Sequence, residues 1–132
     1  MLSVFGHFQK FLAPGLLAVS LAFSLTACGE DEATESGVSW LKENPQIPAN
    51  SGWKIKEVRA TGKRKMEIII DMFSATAANK LNSLSAMDKG EVARLACPLR
   101  GTQFWDIVGT EATVVVKLTS MGENQVTAIC RR

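Results

Sequence analysis

The chain holds few side chains that chemistry favours, and their spacing limits what they can do. Its only histidine, His7, lies in the N-terminal apolar segment, so nothing beyond that segment can complete a Ser-His-Asp or Cys-His arrangement. Ser83, Ser85, Lys80 and Lys89 cluster in sequence and allow a Ser-Lys pair on paper, but their spacing reads more simply as the wet face of a helical stretch and its joint. Asp71 and Asp106 each sit among apolar residues. Two acids work together only at a shared cleft, and an exposed or locally paired acid is the simpler reading of each. No glycine-rich phosphate loop is visible, and no Cys-x-x-Cys redox spacing. The expectation is a protein that is not an enzyme and carries no cofactor or metal.

Two further sets point to contact rather than catalysis. Lys63-Arg64-Lys65 is the densest basic run; at a hairpin tip it reads first as a solvated turn, and otherwise as a contact for lipid headgroups or an acidic partner. No aromatic residues interleave it, which argues against nucleic acid. Trp40, Trp53 and Trp105 read as core or core-edge residues. If Trp40 and Trp53 instead line a groove beside the Pro45–Pro48 loop, they are anchors for a partner protein.

The N-terminal segment gives the address. Lys10 precedes an uncharged apolar run of about 15 residues, Phe11 to Leu25, which is short for a permanent span of roughly 20. It closes on Leu25-Thr26-Ala27-Cys28. This order resembles the lipobox of a bacterial lipoprotein signal peptide; an ordinary secretory peptide cut after Ala27 and a buried helix of a cytoplasmic protein are the competing readings. The resemblance implies that residues 1–27 are removed and that Cys28 carries a diacylglycerol thioether, usually with a further acyl chain on its amine. Two or more chains hold stably where one is marginal. Gly29 stands where an Asp resembles the inner-membrane retention signal of enteric bacteria, which favours the inner leaflet of the outer membrane.

With Cys28 given to lipid in an oxidising compartment, Cys97 and Cys130 remain as an even pair, and a disulfide between them is expected. All 13 acidic residues follow Ala27, and of the 15 basic residues only Lys10 precedes it. Four of the acids, Glu30, Asp31, Glu32 and Glu35, stand together without a basic neighbour, leaving a modestly basic domain beyond an acidic stalk.

The elements that must position these residues follow from patterning. Residues 28–37 are polar, acidic and free of large apolar groups, and read as a flexible tether with a span of roughly 15–18 Å. Residues 38–132 form a single domain. Trp53-Lys54-Ile55-Lys56 alternates as a strand does, and slips at Glu57-Val58, where a bulge would fit. Thr61–Lys65 reads as a hairpin loop and Met66–Phe73 as the return strand. Two helices are expected, about 75–86 and 89–96, the second opened by an Asp88-Lys89-Gly90-Glu91 capping box and stopped by Pro98. Gln103–Val108 suits a short helical turn or an irregular segment. Two more strands follow, with Ala112, Val114, Val116 and Leu118, then Val126, Ala128 and Cys130, facing inward.

This order predicts a two-layer α+β domain, a four-stranded, mostly antiparallel sheet in β-β-α-β-β order with helices on one face. The functional expectation is a small membrane-anchored envelope lipoprotein facing the periplasm. It acts as a binding or accessory module, with another envelope protein as a possible partner besides the membrane itself. A hydrolase or inhibitor of envelope material, or a purely structural lipoprotein, stand as alternatives.

Overall fold

A computed structural model describes residues 28–132, with side chains from Glu32 onward; the leader expected over residues 1–27 lies outside the described residues. The described part opens with helix α1, Cys28–Glu43. It continues through strands β1 (Trp53–Gly62) and β2 (Lys65–Met72). Helices α2 (Ala75–Asn82), α3 (Ala86–Arg94) and α4 (Gln103–Val108) follow, then strands β3 (Thr113–Ser120) and β4 (Glu123–Ile129).

Helix α1 corrects the expectation of a flexible tether over residues 28–37. The segment is helical, and Thr34, Gly37, Val38 and Leu41 are buried along one stripe at helical spacing. The buried groups in its first half are small, so composition gave no warning of the contact. Gly37 makes it possible: a Cβ there would stand 2.3 Å from Val108 Cγ1 and 2.9 Å from Met66 Sδ. Further along, the Trp40 ring tilts against Phe104 at 5.6 Å between centroids.

The four strands lie in the order β1-β2-β3-β4. β1 pairs with β2, and β3 with β4, antiparallel. The central pair, β2 with β3, is parallel, in register from Lys65↔Thr113 to Asp71↔Thr119. The mostly antiparallel sheet of the sequence reading is therefore corrected to a mixed one. The long helical connection from β2 to β3 returns the chain to the end where β2 began, and a crossover of this length permits parallel pairing. The register of β1 shifts between Ile55 and Glu57, so one bulged residue brings Val58 onto the face that Ile55 occupies.

The core lies between the sheet and the helices. Met66, Ile68, Ile70 and Met72 of β2 and Val114, Val116 and Leu118 of β3 face it, with Phe104 and Trp105 of α4, Ala93 of α3 and Leu81 of α2 opposite. Among the described residues, this core runs from Val38 to Cys130. The expected helix boundaries shift: α2 stops at Asn82, and the N-cap of α3 is Ser85, not Asp88. Ser85 Oγ accepts from the Asp88 N–H at 3.2 Å and donates to its carboxylate at 2.7 Å. The hydroxyl caps the helix one turn earlier than expected, and its own proton goes to the Asp88 carboxylate.

This topology gives the domain two ends. At one, the Arg64 N–H donates to Thr34 Oγ1 (3.2 Å), the Thr113 N–H donates to the Arg64 carbonyl (2.8 Å), and the Cys130 N–H donates to the Val114 carbonyl (2.8 Å). The first half of α1, the β1–β2 turn, the start of β3 and the finish of β4 therefore lie together. The C-terminal end of α1, the start of β1, the finish of β2 and the β3–β4 turn lie at the other.

Candidate functional site

The second end carries an apolar depression. Leu81 of α2, Val92 of α3 and Met72 of β2 form its floor and walls, with Ala77 and Leu84 beside them. The two helices part at Ser83-Leu84-Ser85, and Leu84 of this joint lines the depression. The result is a trough of about 190 Å³ that Trp53 closes on the sheet side and Lys80 rims. Trp53 also lines a shallower depression of about 420 Å³ with Pro45, Ile47 and Ile55, rimmed by Lys42 and Lys54. One indole, half-buried, thus joins two apolar surfaces. Three lysines border them, and neither lining contains a carboxylate. An aromatic anchor beside apolar walls is suited to holding an apolar side chain or short segment, and the cations favour acidic groups at its flanks.

Of the residues that the sequence singled out for partner contact, Trp53 and the Pro45-Ile47 loop meet at this site. Trp40 does not; it is half-buried against Phe104 on α1. Lys63, Arg64 and Lys65 lie at the opposite end, on the β1–β2 turn. Arg64 takes a left-handed backbone conformation there (φ 53°), and its guanidinium pairs with Glu111 at 2.7 Å. Cys28 is the first residue of α1. Cys97 and Cys130 lie with their sulfur atoms at bonding distance, 2.10 Å, and tie the end of α3 to the end of β4.

The groups considered for catalysis are dispersed. Ser83 Oγ donates to the Lys80 carbonyl at 2.7 Å, Ser85 caps α3, and Lys89 Nζ donates to Asn82 Oδ1 at 3.4 Å. Asp71 lies on the sheet face turned away from the helices, opposite Lys54 in register, with Oδ1 buried and without a hydrogen-bond partner among the described residues. Asp106 is exposed on α4, on the helical side. Among the described residues no group of three histidine, cysteine or acidic side chains gathers as a metal site, and no helix is long and apolar enough to cross a membrane.

The face away from the helices holds the most buried charge. Glu67 is 4% exposed. Its carboxylate accepts from Arg59 Nε at 2.9 Å, pairs with Arg59 Nη2 at 2.8 Å, and pairs with Lys117 Nζ. The Lys117 contact first, then Arg59, holds the Glu67 carboxyl below its ordinary range, against a desolvation that pushes it up. Alternation with Met66 and Ile68 puts Glu67 on this face, but its partners Arg59 and Lys117 come from strands whose register the pattern does not encode. The same holds for the trough: the spacing of Leu81 and Leu84 fits one helical stripe, but their meeting with Trp53, Met72 and Val92 is carried by no local pattern. Comparison of the chain with protein-family models, with curated proteins and with solved structures returns no match.

Proposed function

We propose that this chain is a lipid-anchored envelope protein whose domain is a binding or accessory module, held at its Cys28 end and open to a partner through the Trp53 trough at the other. Three features support the reading. Leu25-Thr26-Ala27-Cys28 has the order of a lipobox. A bond between Cys97 and Cys130 suits an oxidising compartment such as the periplasm. The trough lies at the end of the domain opposite the start of α1, so an anchor on Cys28 leaves it facing away from the bilayer. Gly29 in place of Asp favours the inner leaflet of the outer membrane.

The observation that carries the binding role is the placement of Trp53 between two apolar depressions bordered by Lys42, Lys54 and Lys80. The partner it fits is an apolar segment with acidic flanks. Titration of Trp fluorescence with model peptides tests this. A leucine-rich segment flanked by glutamates is expected to bind at least tenfold more tightly than one flanked by lysines, and Trp53→Ala is expected to abolish the response. Equal affinity for both peptides, or an unchanged response in Trp53→Ala, contradicts the assignment.

A further inference from the structure

The end opposite the trough has a composition of its own. The disulfide brings the turn after α3 against the finish of β4, with Cα atoms of Cys97 and Cys130 5.5 Å apart. Around it Leu95 and Leu99 are 59% and 65% exposed, next to the exposed Arg100, Arg131 and Arg132. Arg100 and Arg131 border one shallow depression with Leu99. Among the described residues these three arginines form no ion pair, unlike Arg94, which pairs with Glu91 in the same depression, and Arg64, which pairs with Glu111. Lys65, exposed at the start of β2, is on the same end.

We infer that this end is a seat for an anionic bilayer surface, in which Arg100, Arg131 and Arg132 meet lipid phosphates and Leu95 and Leu99 dip into the headgroup layer. Two observations select a membrane over an acidic protein. The first is the pairing of open leucines with unpaired arginines, the composition of an interfacial surface. The second is position. Thr34 bonds the β1–β2 turn at this same end, and Cys28 lies six residues earlier on the same helix, about 9 Å along its axis at 1.5 Å per residue. An anchor there brings this end of the domain to the bilayer surface, within the range over which cations feel an anionic surface. Glu32 and Glu35 are exposed on α1, which meets this end at the β1–β2 turn. The orientation argument rests on the proposed anchor; the surface itself does not.

Flotation of residues 28–132 carrying Cys28→Ser, which needs no lipid, tests the seat. With vesicles of phosphatidylglycerol and phosphatidylethanolamine at low salt the chain is expected to float, and with pure phosphatidylcholine it is expected to stay behind. Each cation near an anionic surface changes partitioning about fivefold, so R100A/R131A/R132A is expected to lose roughly a hundredfold. K42A/K54A/K80A, which removes as much charge from the trough end, is expected to leave flotation unchanged. Leu99→Ser is expected to weaken binding at a salt concentration where the arginines are screened. No flotation with either vesicle, or equal loss in both triple variants, overturns the seat. Failure of the anchor reads out separately, as an unmodified Cys28 in the protein isolated from cells.

Discussion

Replacing Gly37 by alanine tests whether α1 is a docked part of the domain. In an exposed helix the change stabilises by about 0.8–1 kcal/mol, because alanine gives up less backbone entropy than glycine. Here the new methyl would stand 2.3 Å from Val108 Cγ1, 2.9 Å from Met66 Sδ and 3.4 Å from Phe104 Cε2. The Met66 thioether can swing aside. Val108 is β-branched, buried and fixed on α4, so α1 and α4 must move apart. Overpacking of this kind costs about 1–3 kcal/mol, and the contact is short enough to place it in the upper half. The net expectation is a loss of about 1–2 kcal/mol, measured as a lower urea midpoint for residues 28–132 with an unchanged slope. Val108→Ala in the Gly37→Ala background relieves the contact, so the double variant is expected to be more stable than the two single losses add up to. Ser36→Ala, exposed one residue earlier, is expected to be neutral or slightly stabilising. A Gly37→Ala chain as stable as the parent, or more stable, would refute the docking of α1.

The remaining expectations concern the bridge and the buried carboxylate. Cys130→Ser opens a loop with a sequence separation of 33, and chain entropy places the loss at roughly 3.5–4 kcal/mol, read as the difference in urea stability between bridged and variant chains. The Glu67 carboxyl is lowered in the folded state, so the unfolded chain binds the proton more readily. The stabilisation is therefore fully present above the ordinary carboxylate range and is lost as pH falls through that range to the folded-state value. Glu67→Gln is expected to flatten that part of the stability–pH curve, and an identical acid limb in parent and variant would count against the Arg59–Glu67–Lys117 cluster.

Alternation is readable where one face of a strand is dry. Met66, Ile68, Ile70 and Met72 announced the inward face of β2, and Val114, Val116 and Leu118 that of β3. The slip at Glu57-Val58 announced the bulge in β1. The parallel pairing left a weaker trace. Ile68-Ile69-Ile70 and Val114-Val115-Val116 are continuous apolar runs, as strands with neighbours on both sides tend to be, yet either run also fits a central antiparallel strand. Helix α1 was hidden by the smallness of its contact residues. Thr34 and Gly37 bury little surface of their own; Thr34 matters through its bond to the β1–β2 turn and Gly37 through how closely it lets α4 approach. Trp53 was visible as a possible anchor, but its walls come from β2, α2 and α3, and no local pattern carries that meeting.

The membrane-anchored reading is tested most directly by the intact mass of the protein extracted from cell membranes. The expected product is a chain that starts at Cys28 and carries a diacylglycerol and an acyl chain there, with Cys97 and Cys130 oxidised. A full-length product recovered from the cytosol, with residues 1–27 attached and Cys28 unmodified, would contradict it.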